Sequence, residues 1–105
     1  MTVTRKDLNM IAATLNQQLV ACQEDYMALI SCKKTRVSSA KVQQCLAQGK
    51  TAWATSENMH LAMRKLNPNV DYGKWRAAIL KGLDTTSIAS RNFVNVITGK
   101  VKSND

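Results

Sequence analysis

Between Thr4 and Lys33 the chain contains no glycine and no proline, and its apolar side chains return at every third or fourth position: Leu8, Ile11, Leu15, Leu19, Cys22, Tyr26, Leu29. Steps of three and four stack side chains on one face of an α-helix. The stretch is more than twice as long as an average globular helix. Thr4 can cap its start, with Asp7 three positions on as the acidic half of a capping pair. Lys33 and Lys34 fall in its last turn, where cations suit the negative end of the helix dipole. A helix of this length with one apolar face needs another element to cover that face.

The next stretch supplies one. "KKTRVSSAK" is polar and reads as a turn, with Ser38 or Ser39 as the cap of a second helix from about Ala40 to Leu66. Val42, Cys45, Gly49, Ala52, Ser56, Met59, Met63 and Leu66 form its stripe. Three of these residues are small, which lets another helix come close. Gly49 costs roughly 1 kcal/mol in helix propensity, so a packing reason is expected for it. "NPN" at 67–69 ends the helix. A short third helix follows, with Trp75, Ile79 and Leu83 on one side and Gly82 at its C-terminal cap. A fourth helix from about Ile88 to Ile97 is capped by Thr86 or Ser87 and stops at Gly99. The expected fold is all-α: an antiparallel helical hairpin over 1–69, then a helical extension over 70–105 with two shorter helices.

At 105 residues the chain suits one small domain, whose core alone leaves little margin of stability. Fifteen basic residues against seven acidic ones give a formal net charge of +8. That balance favours an anionic partner such as nucleic acid, acidic lipid or an acidic protein surface, or else serves solubility alone. No run reaches the ~18 apolar residues of a membrane span, and the N-terminal "MTVTRKDLNM" shows no cleavable address.

The cysteines carry the most specific signal. Cys22 and Cys32 are ten positions apart on the first helix, and Cys45 is near the start of the second. In an antiparallel hairpin Cys32 and Cys45 lie near the turn and can meet, while Cys22 faces Thr55. "CQEDYMALISC" and "CLAQGKTAWAT" resemble the twin Cys-nine-Cys segments of the coiled-coil-helix–coiled-coil-helix (CHCH) family, with Thr55 in place of the fourth cysteine. The resemblance covers about residues 15–58. It implies a Cys32–Cys45 disulfide, with Cys22 as an unpaired thiol and one of the two family bridges missing. Three thiols in a reduced helical core are the competing reading.

Metal and catalytic chemistry find no support in the pattern. His60 lies fifteen residues past Cys45 on the same helix, roughly 22 Å away at helical rise, so one metal cannot take both. A Cys22–His60 pair is turned apart, and His60 is expected at the surface or an interface. There is no phosphate loop or serine-nucleophile motif, and Glu24 and Asp25 are adjacent and point in different directions. The chain is therefore expected not to be an enzyme and to hold no cofactor or metal. Trp53, Tyr72 and Trp75 are candidate interface anchors, with core packing as the alternative.

The resemblance implies a structural accessory subunit of a large mitochondrial assembly. An inner-membrane energy-transducing complex is preferred, either a respiratory complex or ATP synthase, on its intermembrane-space side where an oxidised bridge persists. The expected partners are other subunits of that complex and acidic lipid headgroups. A mitochondrial ribosomal protein in the matrix contacting rRNA is the alternative that the net charge favours. A small helical nucleic-acid-binding regulator, using the last two helices as a helix-turn-helix, is the third reading.

Overall fold

The computed structural model describes residues 4–31 and 39–100, and the described chain is all-α. Four helices follow in order: α1 Arg5–Ser31, α2 Ser39–Leu66, α3 Tyr72–Leu80 and α4 Ile88–Ile97. This is the hairpin of two long helices with two shorter C-terminal ones. The expected positions of Lys33 and Lys34 in the first helix, the Ser38 cap and Cys32 lie outside the described residues.

Local chemistry sets the helix ends. The Thr4 amide donates to Asp7 Oδ2 at 3.0 Å and the Asp7 amide to Thr4 Oγ1 at 3.2 Å, a reciprocal cap that opens α1. Asp71 caps α3 by accepting from the Lys74 amide. Ser87 and Ser90 form a second reciprocal box at the start of α4. At its end Gly99 takes φ +78°, while its own amide bonds Val96 O and the Lys100 amide bonds Asn95 O. This is the two-bond helix stop that a left-handed glycine makes possible.

The molecule is a rod with extents of 51 × 22 × 22 Å. α1 and α2 pack against each other, α3 packs on α1, and α4 packs on both long helices. Going up the chain, Asn16 meets Ile79, Gln23 meets Asp84 and Tyr26 meets Phe93. On α2 the order runs the other way, from His60 beside Trp75 to Gly49 beside Ile97. The last third of the chain is thus a broken third rod, running alongside α1 and against α2. Its two pieces pack on the hairpin rather than across one another, unlike a helix-turn-helix.

A helix flanked by α1 and by the third rod buries more than one stripe, and here the sequence expectation for α2 needs correction. Val42, Cys45, Ala52 and Met59 of the expected stripe are only partly buried, and Leu66 is 66 % exposed. The deeply buried positions are Leu46, Gly49, Trp53, Ser56, His60 and Met63. Gly49 does have its packing reason. A Cβ there would sit 2.7 Å from Ile97 Cγ2 and 3.2 Å from the tip of Phe93, so α4 closes on α2 only because that position is bare. Gly82 follows the C-cap residue Lys81 at the expected end of α3, though its φ is not positive. Its Cβ would instead collide with the Asn16 amide at 2.8 Å.

Candidate functional site

The break between α3 and α4 is held by α1. Gln23 is 5 % exposed and grips the main chain of Asp84 at two points: its Nε2 donates to Asp84 O at 2.8 Å and its Oε1 accepts from the Asp84 amide at 2.8 Å. Seven residues earlier, two turns along the same side, Asn16 Nδ2 donates to Ile79 O at 2.7 Å. Each bond satisfies a backbone group that a helix end or a turn leaves without a partner. Asp84 in turn accepts from the Thr86 amide at 2.8 Å and its hydroxyl at 2.7 Å, which holds its carboxyl below the ordinary range.

The densest chemistry lies between α2 and α3. Arg76 of α3 stacks over Trp53 at 4.6 Å and over Tyr72 at 4.9 Å. Its guanidinium bonds Glu57 at 3.1 Å, and the Tyr72 hydroxyl donates to the same Glu57 oxygen at 3.1 Å. Burial pushes the Tyr72 phenol up, and the Glu57 hydrogen bond adds to the shift. One carboxylate therefore joins two α3 side chains to α2, and the aromatic faces hold the cation. Both charged side chains are more than a third exposed, so the pair contributes at most about 1 kcal/mol.

Beneath this staple His60 is completely buried. Its ring lies 4.2 Å from Tyr72 and 5.5 Å from Trp75, centroid to centroid. Neither ring nitrogen has a hydrogen-bond partner, and neither do the indole nitrogens of Trp53 and Trp75. Burial, with the Arg64 charge adding to it, pushes the imidazole below its usual value of 6.5. Aromatic faces attract a desolvated cation by about 2 kcal/mol or somewhat more. Burying a charge with no partner costs several kcal/mol, so the neutral ring is the form that fits. The expectation of a histidine at the surface or an interface with another chain is not met: α3 of the same chain covers it. Trp53 at 4 % and Trp75 at 7 % exposure lie inside the chain's own core, matching the packing alternative rather than an interface anchor, while Tyr72 is half-buried.

Cys22 and Cys45 are both half-buried free thiols. The pairing expected between Cys32 and Cys45 falls partly outside the described residues. Cys22 lies within electrostatic reach of Cys45. Burial, aided by that neighbour and by Asp25, pushes the Cys22 thiol up; burial and Asp25 do the same to Cys45. Both are poor nucleophiles at neutral pH. Among the described residues no three His, Cys, Asp or Glu side chains gather where they could hold a metal ion.

Two open grooves of about 470 and 560 Å³ follow the α1–α3 seam and share Asn9, Ala12 and Ala78. The larger is walled by Arg5 and Lys74, with Asn67, Asn69 and Trp75 beside them. Arg64 and Lys65 close the last turn of α2 at the same end of the rod. No described helix is long and apolar enough to cross a membrane. The chain matches no family model, no curated protein and no solved structure.

Sequence reasoning missed Asn16, Gln23, Glu57 and Arg76 as organising residues. The first two did leave a signal, being polar residues two turns apart beside an otherwise apolar stripe. Glu57 and Arg76 left none, because their pairing joins helices that the sequence cannot align.

Proposed function

We propose that this chain is a non-enzymatic structural accessory subunit of a mitochondrial inner-membrane energy-transducing complex, a respiratory complex or ATP synthase, on the intermembrane-space side. The observation that carries the structural part is the clamped third rod. Gln23 and Asn16 fix the broken third rod to the hairpin through its main chain, giving a body 51 Å long with Trp53, Trp75 and Phe93 turned inward. Such a body suits bridging between neighbouring subunits. The mitochondrial setting rests on the twin-cysteine resemblance, which implies a Cys32–Cys45 bridge, although Cys45 is a free thiol in this structure. The chain takes other subunits as partners, and its basic residues meet acidic subunits or headgroups.

A second reading has its own support. Arg5, Lys6, Arg64, Lys65 and Lys74 gather where α1 begins, α2 ends and α3 begins, while the nearby carboxylates of Asp7 and Asp71 are engaged in caps. A basic end of this kind suits rRNA in a mitochondrial ribosome. Tagging the chain in its native cell, extracting mitochondria in mild detergent and resolving the assemblies on native gels separates the two. Co-migration with inner-membrane complex subunits is the expected result. Co-migration with rRNA, or a chain found outside mitochondria, rejects it. Peptide mapping of the same material without reductant shows whether residues 32 and 45 are joined.

A further inference from the structure

We propose that His60 is a proton-operated latch: the neutral ring keeps α3 seated on α2, and protonation releases α3 while α4 stays packed on the hairpin. Three observations carry this. His60 has no exposed surface, its two nitrogens have no partner, and its ring is covered by the two α3 aromatics Tyr72 and Trp75. A proton added to that ring brings a charge and a second donor into a place without an acceptor.

The surroundings offer no compensation. From α2, Glu57 is the carboxylate nearest in sequence, and it already serves Arg76 and the Tyr72 hydroxyl. Arg64, one turn on, is a cation and opposes the proton. From α3, Tyr72 holds its own proton, and Arg76 is a second cation whose place is over the Trp53 and Tyr72 faces. From α1, the packed residues at this level are the apolar Leu8, Ala12 and Leu15. The charged side chains of that helix end, Arg5, Lys6 and Asp7, are exposed, and Asp7 accepts from the Thr4 amide. Attraction of the Tyr72 and Trp75 rings for a cation is smaller than the cost of an unpaired buried charge, and the Tyr72 ring is already engaged by Arg76. Water reaches the imidazolium once α3 lifts. Release of α3 also breaks the Asn16–Ile79 bond and the packing of Ile79 on α1, and the Gln23 grip on Asp84 marks where it ends, because α4 beyond it rests on apolar contacts with α1 and α2.

The sign of the effect follows from linkage. The open state takes up the proton at the ordinary value near 6.5, and the closed state resists it. The closed state is therefore fully favoured above that pH and loses ground as pH falls below it, by up to tenfold in the open-to-closed ratio per pH unit. The inference is independent of which complex hosts the chain.

His60 is the sole histidine, so its imidazole resonance needs no assignment. The test is an NMR titration of the intact chain from pH 8 to 5, with amide hydrogen exchange corrected for its intrinsic pH dependence. The expected result is an imidazole that titrates below 6.5. Protection of residues 72–80 should fall by up to tenfold per pH unit below that value while residues 88–97 keep theirs. His60→Phe, with His60→Gln as a second variant should the larger ring not fit, is expected to abolish this pH dependence. An imidazole titrating at or above 6.5 overturns the latch. So does simultaneous loss of protection in α3 and α4, or an unchanged pH dependence in a folded variant.

Discussion

The two halves of the third rod are attached to the same hairpin by different physics. α4 is held by apolar closeness: Phe93 is fully buried, its ring 5.4 Å from Tyr26 and its tip resting over the bare Gly49. α3 also buries Trp75 and Ile79 in the core and ties its Ile79 carbonyl to Asn16 of α1, but toward α2 it is held by rings, one shared carboxylate and a histidine whose nitrogens bond nothing. Apolar packing is indifferent to pH and salt, whereas a neutral buried histidine and an ion pair are not. A small rod can thus combine an unconditional attachment with a conditional one.

Perturbations of growing subtlety test that contrast. Phe93→Ala should have the largest effect, a loss of about 3–5 kcal/mol in chemical denaturation, because it empties the centre of the α4 contact. A loss below about 1 kcal/mol would mean that α4 is not seated as described. Gln23→Ala should cost about 2 kcal/mol by removing the two part-buried hydrogen bonds that hold the Asp84 main chain. It should also raise amide exchange in both halves of the third rod, since it touches the joint between them. Gly49→Ala gains about 1 kcal/mol of helix propensity but forces Ile97 and Phe93 aside, and overpacking costs about 1–3 kcal/mol. The net expectation is a destabilisation of about 1 kcal/mol, which a neutral or stabilising result would refute. Arg76→Ala should be mildest, about 1 kcal/mol or less, and its effect should shrink with added salt while that of Phe93→Ala does not.

Acid adds a separation by pH. The Asp84 carboxyl is held below its ordinary 3.8 by the Thr86 amide and hydroxyl. Its contribution is present above that value and disappears as pH falls through the lowered one. The His60 window opens near 6.5. Thermal melts between pH 6.5 and 5 should therefore respond to His60→Phe and not to Asp84→Asn. A dependence on Asp84 in that range would contradict the assignment.

The helix ends were largely legible in the sequence. Thr4 with Asp7, Ser87 with its hydroxyl, and Gly99 with its freedom at positive φ each carry their chemistry locally. The face of α2 was not. Stepping by three and four from Val42 traces one line, yet a helix with neighbours on two sides buries a second line through Leu46, Trp53 and His60. His60 is turned away from Cys22 in a two-helix hairpin, which points it to the surface or an interface, and nothing in its own turn announces that Tyr72 and Trp75 will cover it. Gln23 illustrates the general limit. Its position beside a buried stripe is visible, but its partner lies sixty-one residues away and is a main-chain group, which no side-chain pattern encodes.

The interruption between Leu80 and Ile88 also shapes how the rod comes apart. A single continuous helix tends to fray inward from an end without a fixed stopping place. Here a disturbance entering at Tyr72 reaches an anchored peptide at residue 84 before it meets the second segment. The joint acts as a firebreak, allowing one end of the body to loosen repeatedly while the other keeps its shape for whatever it rests against.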